Sequence, residues 1–561
     1  MKLKLAGVGV IAVGVAALVL AFAGSAHRSS YSLTAPKAAA ASNASSTTPQ
    51  TLQQALAVSK RLGPVAPGTP IQIILSLRSK HQQALQQLFN NGEGAPAGSA
   101  SMIGPSTPLV EKALGAARQA GFTTKWIRGD GLASLTGTPK SVQTLFGVRL
   151  ARYAEPGGRT FYAGDRAPKL PATFKPVVTG VAGFDNFIQL QPEEVTPGGA
   201  TPTDMLNFYD VQALRASGLD GSGETVVLPE GINPSLFPKL ENDLARYSAK
   251  YGLPPANISL RADKSWAPFS AGKTAEGNLG EADLDVEVVH AMAPKAKLIV
   301  YVFGTSAGFI ATEDAMVREN PTGIISFSYG GCEQGLGGKT LAAYEQPWLR
   351  LAAENVSAYV SSGDSGAYTC GEKTGPWVSF PADIPVIVSV GGTTVFLGKN
   401  GSYGFEMAWG EALTEWGGGG GVSKVFARPG YQTGAGYPST KAASGRLVPD
   451  VAANSWEGWN IIGSDGSGAV GGTSAAAPFW AGLTALIDQD LVRNHLRRMG
   501  IPLQGLTAIA RKHDGAFHDI TDGNNLFYDA GPGWDAATGW GTPDAAILDR
   551  DIKAYIKSGG K

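Results

Sequence analysis

The segment Gly471-Gly-Thr-Ser-Ala-Ala-Ala-Pro478 runs directly into an apolar stretch, Phe479–Ile487. A Gly-Thr-Ser turn feeding a helix sets the Ser474 hydroxyl at a helix N-terminus. There the dipole and the free N–H groups favour a developing negative charge, so the serine is placed for nucleophilic attack and acyl transfer. A serine that only caps a helix is the ordinary alternative. Pro478 is compatible with either reading if it falls in the first turn, where no backbone donor is needed. A nucleophilic serine needs a base. The chain has 6 histidines, and three of them, His495, His513 and His518, follow Ser474. His27 lies beside an N-terminal apolar run and His81 in the N-terminal region, which leaves His290.

His290 belongs to Gly280-Glu-Ala-Asp-Leu-Asp-Val-Glu-Val-Val-His-Ala-Met-Ala-Pro294. Projected at about 100° per residue, Glu281, Leu284, Asp285, Val288 and Met292 share one face of a helix. Asp283, Glu287 and His290 fall on the opposite face. Two carboxylates thus occupy an otherwise apolar stripe, where burial is unfavourable unless they have partners or a task. The histidine points away from them. Asp283 and Glu287 read as acids on a solvated face. A third segment adds to the set: the strand Ser357–Ser361 ends in Ser362-Gly-Asp-Ser-Gly366, whose Asp364 is by itself an ordinary turn residue.

The serine string resembles that of subtilisin-like and sedolisin-like peptidases, which share a fold and differ in the base. No His-Gly-Thr-His-like segment stands upstream of Ser474. Glu281-x-x-x-Asp285, followed by Val-Glu, is similar to the acidic motif of the kumamolisin-like sedolisin family of serine-carboxyl peptidases. The resemblance implies Glu281 as general base to Ser474, Asp285 as the group that orients and tunes it, and Asp364 as a protonated donor to the oxyanion. Because free Asp titrates near pH 4, that set implies an acidic working range. Ser326-Phe-Ser-Tyr-Gly330 resembles the family's substrate-flanking strand; Tyr329 departs from the Trp that several members carry. Glu230 is a candidate extension of the acidic network. The strings Val390-Gly-Gly-Thr393, Gly417–Ser423, Phe426-Ala-Arg-Pro429 and Val448-Pro-Asp-Val451 follow in the family's order.

Phe517-His-Asp-Ile-Thr-Asp-Gly-Asn524 and Gly531-Pro-Gly-Trp-Asp-Ala-Ala-Thr-Gly539 supply the hard oxygen donors calcium prefers, though Asp-rich turns are commonly only turns. The resemblance implies one structural Ca²⁺ held by the side chains of Asp519 and Asp535 and the carbonyls of Ile520, Gly531 and Gly533, with Asp522 a turn residue. Two rival readings are a subtilisin-type Ser/His/Asp peptidase and a catalytically silent, calcium-stabilised binding protein of the same fold.

These residues need a frame that brings them together. From about residue 204, apolar strands (Thr225–Leu228, Lys297–Phe303, Gly323–Ser328, Ser357–Ser361, Pro385–Val390) alternate with helical stretches (Phe237–Tyr251, Glu281–Met292, Thr340–Glu354). The pattern reads as an α/β domain, a doubly wound, mostly parallel sheet of subtilisin-like type over residues 204–561. Such sheets place their sites at strand carboxyl ends. Residues 64–190 have an α+β pattern without clustered catalytic residue types. They resemble the family's activation prodomain, ferredoxin-like in fold, with Val142-Gln-Thr-Leu-Phe-Gly147 the best-matching string. The resemblance implies a folding aid and inhibitor, released by self-cleavage in or near the Pro/Gly/Thr-rich joint 191–203.

Residues 1–26 combine Lys2 and Lys4, an apolar run and small residues at Gly24 and Ala26: a signal peptide, or a retained membrane anchor, and in either case export. Residues 27–63 read as a flexible linker. Export makes a disulfide between the 2 cysteines, Cys332 and Cys370, the favoured reading over two buried thiols. With Lys+Arg and Asp+Glu equal at 46 each, the chain lacks the basic excess of a nucleic-acid binder. Protein or peptide substrates, the chain's own prodomain and a monomeric state complete the expectations.

Overall fold

The computed structural model describes residues 52–95, 104–187, 191–192, 199–262, 278–303, 306–320, 323–335, 338–371, 375–411, 414–464 and 466–560. The expected export segment, most of the linker and residues 193–198 of the joint lie outside them.

Strand-rich segments of Val, Ile and Leu form an eight-stranded sheet in the order 257–261, 297–302, 225–230, 324–327, 357–361, 388–397 and 403–408, with 451–454 also pairing with 388–397. All neighbours run parallel except 403–408, which runs antiparallel to 388–397. Apart from the edge strand 257–261, the parallel strands are buried on both faces, which explains why they read as continuous apolar runs rather than alternating ones. Two helices on this sheet carry the site, Leu279–Met292 and Thr473–Arg493, and they are packed against each other. A Cβ at Gly482 would lie 2.4 Å from the Met292 Cβ, so glycine there permits the close approach.

The N-terminal region has its own sheet, antiparallel, in the order Thr123–Lys125, Leu132–Gly137, Ile71–Leu77, Val178–Ala182. Period-two alternation gives strand Ile71–Leu77 two destinations. Ile71, Ile73, Leu75 and Leu77 enter a core with the helices Thr107–Gln119 and Pro139–Phe146. Ile74 faces the other way and joins the large core of the parallel-sheet domain. On that face Ser76 Oγ lies 3.5 Å from Gln346 Oε1, and Arg318 Nη1 meets Asp130 Oδ2 at 2.7 Å. The stretch 52–63, read as the end of a linker, instead contains the helix Leu52–Val58 and the start of the strand Lys60–Pro64. That strand pairs with Leu150–Ala154, and Ala55 is buried in a small aromatic cluster with Phe161 and Phe187. The Ala/Ser/Thr-rich composition typical of a linker is confined to residues 35–49.

Further along the joint, the backbone of Gln191–Pro192 pairs antiparallel with the strand Tyr329–Cys332, Pro192 opposite Tyr329 and Gln191 opposite Gly330. Cys332 is bonded to Cys370, with Cα atoms 4.9 Å apart.

Candidate active site

Ser474 is the second residue of its helix and is buried. Its Oγ donates to the Ser328 carbonyl at 3.3 Å. Pro478 lies one turn further into the helix than the sequence suggested, because the helix begins at Thr473. Proline there removes the N–H that would bond the Ser474 carbonyl. Ser328 Oγ takes that place, 3.3 Å from the Ser474 carbonyl oxygen, and also reaches Asp285 Oδ1 at 2.8 Å. One hydroxyl thus joins the acidic helix to the nucleophile's own peptide. The strand carrying Ser328 was legible in the sequence; the part played by this hydroxyl was not. Its only signal is its place at a strand's carboxyl end.

Asp364 is buried at the end of strand Ser357–Ser361, where Gly363 adopts φ 108°, in the left-handed region that favours glycine. Asp364 Oδ1 accepts from both Thr473 N and Thr473 Oγ1 at 2.8 Å. Gly363 N donates to Thr473 Oγ1 at 3.1 Å. The Asp364 loop is therefore tied to the residue immediately before Ser474. The Cys332–Cys370 bond restrains the same loop region from the other side, linking it to the strand Tyr329–Cys332.

Glu281 and Asp285 are fully buried. Beyond them, Tyr329 Oη donates to Glu230 Oε2 at 3.0 Å and accepts from Gly231 N at 3.3 Å. Burial, then the charge of Asp285, holds the Glu230 carboxyl well above the usual carboxylate range; the Tyr329 hydroxyl opposes them. Burial and the nearby Glu230 and Glu281 push the Tyr329 phenol up as well. Glu230, Tyr329, Asp285, Ser328 and Ser474 form one connected set, with Glu281 acting on Tyr329. Glu230 thus joins the acidic network that the sequence left open.

The other helix face differs from its expectation. Asp283, Glu287 and His290 are buried, not solvated. The hairpin Trp459–Val470 and the helix Phe237–Tyr251 cover them. Glu287 Oε2 accepts from Ile462 N at 2.9 Å, and burial pushes its carboxyl up to about 10, leaving it a neutral acid. Burial lowers His290 to about 4, so the ring is neutral. Its Nε2 lies 3.0 Å from both Ser248 Oγ and the Pro254 carbonyl oxygen. The histidine belongs to the packing between helices.

In the C-terminal loops, Asp519 Oδ2 accepts from Gly533 N at 2.9 Å and Asp535 Oδ2 accepts from Gly531 N at 3.1 Å. Asp535 Oδ1 also accepts from Ala537 N and Thr538 N, both at 2.8 Å. Both aspartates thus converge on the Gly531–Gly533 loop, with buried Ile520 next to Asp519. Burial raises Asp519 and takes Asp535 to about 7. Two carboxylates that burial drives toward protonation, set against a carbonyl-rich glycine loop, fit a hard cation. Asp522 serves the turn through its carbonyl, which accepts from Ala408 N at 2.8 Å.

Residues 57–187 match the pro-kumamolisin activation domain, and residues 270–540 match the subtilase family. Kumamolisin of Bacillus sp. (strain MN-32) is 34% identical over 451 residues, covering 74% of this chain and 77% of its own. Sedolisin of Pseudomonas sp. (strain 101) is 28% identical over 544 residues, covering 88% and 89%. A solved structure of Pseudomonas sedolisin, a serine-carboxyl proteinase complexed with pseudo-iodotyrostatin, superposes with a TM-score of 0.54 at 28% identity. It covers 65% of this chain and 100% of that one.

Proposed function

The chain belongs to the sedolisin family of serine-carboxyl peptidases with an N-terminal activation domain, and on that premise we propose that it is an exported, self-processing zymogen that hydrolyses peptide bonds in proteins at acidic pH. The observation that carries this reading is the connected set around Ser474: Ser328 and Asp285 on one side, Asp364 held to Thr473 on the other.

In the proposed reaction, Glu281 takes the Ser474 hydroxyl proton as Oγ attacks the scissile carbonyl carbon. Asp285 orients Glu281 and shares in its protonation. A protonated Asp364 donates to the oxyanion. The proton on Glu281 passes to the leaving amine as the C–N bond breaks, leaving an acyl-enzyme on Ser474. Water, deprotonated by Glu281, then releases the acid and restores the hydroxyl. An acidic optimum follows because Asp364 must keep a proton to donate to the oxyanion, and an unperturbed Asp gives its proton up near pH 4.

The backbone of Gln191–Pro192 adds a strand to Tyr329–Cys332, the edge along which a substrate peptide would pair. That supports inhibition by the chain's own prodomain and cleavage within the joint 191–203. Purified Ser474→Ala full-length protein, held at about pH 4, should keep its N-terminal region, whereas the unsubstituted chain shortens. Equal shortening of both would sink self-processing. The same variant separates this reading from a silent binding protein of the same fold.

We further infer one structural Ca²⁺ at Asp519, Asp535 and the carbonyls of Ile520, Gly531 and Gly533; its role would be to hold the two loops together with both carboxylates ionised. EDTA should lower stability by about 3 kcal/mol for an ion present at some hundredfold its Kd, seen as a lower Tm. An Asp519→Ala variant that still responded to EDTA would count against this site. The protein is proposed to work outside the cell as a monomer.

A further inference from the structure

Moving across the sheet from the strand that leads into Ser328, the order is 324–327, then 357–361 leading into Asp364, then 388–397, then 451–454. The paired backbone at Tyr329–Cys332 lies at the first end, and Pro192 sits nearer Ser328 than Gln191 does. A peptide bound in that direction brings its acyl side along Tyr329–Cys332 and passes Ser474 toward the other end. What stands there is a pair of tryptophans.

Trp416 is 38% exposed, unusual for its size. It follows Glu415, a non-glycine residue at φ 61° whose N donates to the Glu411 carbonyl at 2.9 Å. A residue held in the left-handed region directly before an exposed large aromatic side chain is more than surface filling. Its neighbour Gly417 is stitched to the oxyanion loop: Gly417 N donates to the Asp364 carbonyl at 2.9 Å, and Gly366 N donates to the Gly417 carbonyl at 2.7 Å. Half-buried Trp456 sits on the nucleophile side, since Gly472 N donates to the Ser455 carbonyl at 2.9 Å. The Trp416 and Trp456 rings meet edge to face, centroids 6.4 Å apart at 74°. Fully buried Trp409 stacks behind Trp456 at 6.1 Å. The pair is therefore rigidly backed and fastened to both groups that flank the scissile bond.

We propose that Trp416 and Trp456 form the subsite for the residue on the leaving-group side of the scissile bond, and that it selects a large apolar or aromatic side chain. This rests on the peptidase reading above. Edge-to-face contact with a third ring supplies about tenfold in kcat/KM over a side chain that makes no contact.

The test uses mature enzyme and two quenched fluorescent peptides, identical on the acyl side, carrying Phe or Gly immediately after the scissile bond. The unsubstituted enzyme should favour the Phe peptide by about tenfold. In Trp416→Ala the ratio of the two kcat/KM values should collapse toward parity, whatever happens to the absolute rates, and Trp416→Phe should restore most of it. Trp456→Leu gives a second, independent loss. A ratio that survives in both variants, or its absence in the unsubstituted enzyme while both peptides are cut, overturns the subsite but leaves the peptidase reading intact. Failure to cut either peptide, with folding verified by a cooperative thermal transition, overturns both.

Discussion

Two regions of this molecule bury carboxylates, and they do so in opposite company. At the face between the N-terminal region and the parallel-sheet domain, burial raises Asp130 while the guanidinium groups of Arg318 and Arg350 pull it back. Arg318 also reaches Asp314 Oδ2 at 3.3 Å. Around Ser474, the charge that most affects Glu230 is another carboxylate, Asp285, and only the Tyr329 hydroxyl works against it. Both arrangements remove acids from water. The first offsets the desolvation with cations and yields adhesion. The second holds protons that can be passed on, which is what a site moving one proton per bond broken requires. Burial alone is therefore not the mark of the catalytic cluster; the sign of the neighbouring charges is.

The comparison breaks most visibly if Glu281 is not a proton carrier. Glu281→Gln, nearly isosteric, should lower kcat/KM by about 10² to 10⁴ in a peptide assay, the range for losing a general base. A drop of less than tenfold would reduce Glu281 to packing.

A second test concerns the fold as a whole. Burial lifts Asp314 to about 6 and Glu345, Glu406 and Asp488 to about 7. Each is raised in the folded chain, so folding takes up protons between the unfolded value near 4 and these higher values. Stability from these groups is full below about pH 4 and is lost as pH climbs through 6 to 7. His290, lowered to about 4 by burial, acts in the opposite direction, with stability lost as pH falls from 6.5 to about 4. Four carboxyls outweigh one imidazole. The Tm of the Ser474→Ala zymogen should therefore rise by several degrees from pH 8 to pH 5; a Tm that falls over that interval would contradict the assignment.

The smallest effect belongs to the cation-paired region. Asp130→Asn leaves Arg318 and Arg350 in place without the charge they share, and should weaken the zymogen by about 1–3 kcal/mol. The readout is a lower Tm in the Ser474→Ala background, together with faster loss of the N-terminal region in the active chain. Equal stability would mean that the apolar contacts around Ile74, Phe89 and Leu132 carry the docking by themselves. Because Asp130 is raised, it takes up a proton more readily than a free carboxyl, and by linkage acid favours its buried state; the cleft and the joint are the better places to look for the trigger.

Much of the site could be read before any coordinates. Helical periodicity separated Glu281 and Asp285 from His290, and the strand Ser357–Ser361 and helix Phe237–Tyr251 stand where the pattern put them. These are local properties: a repeat of 3.6 or 2 residues decides which side chains share a face. What covers a face is not local. Asp283 and Glu287 look like solvated acids until a hairpin more than 170 residues away closes over them, with Ile462 N donating to Glu287. Pro478 fits a first helical turn until the structure shows it one turn further in and Ser328 supplying the missing bond. Of the feature that opened the case, Ser474 with carboxylates in place of histidine, the sequence by itself determined the residue types and their faces. Only the tertiary structure decided that Ser328 bridges Asp285 to Ser474, that Thr473 holds Asp364, and that two tryptophans stand beyond them. Each of those contacts joins segments tens to hundreds of residues apart, and no local periodicity encodes such pairings.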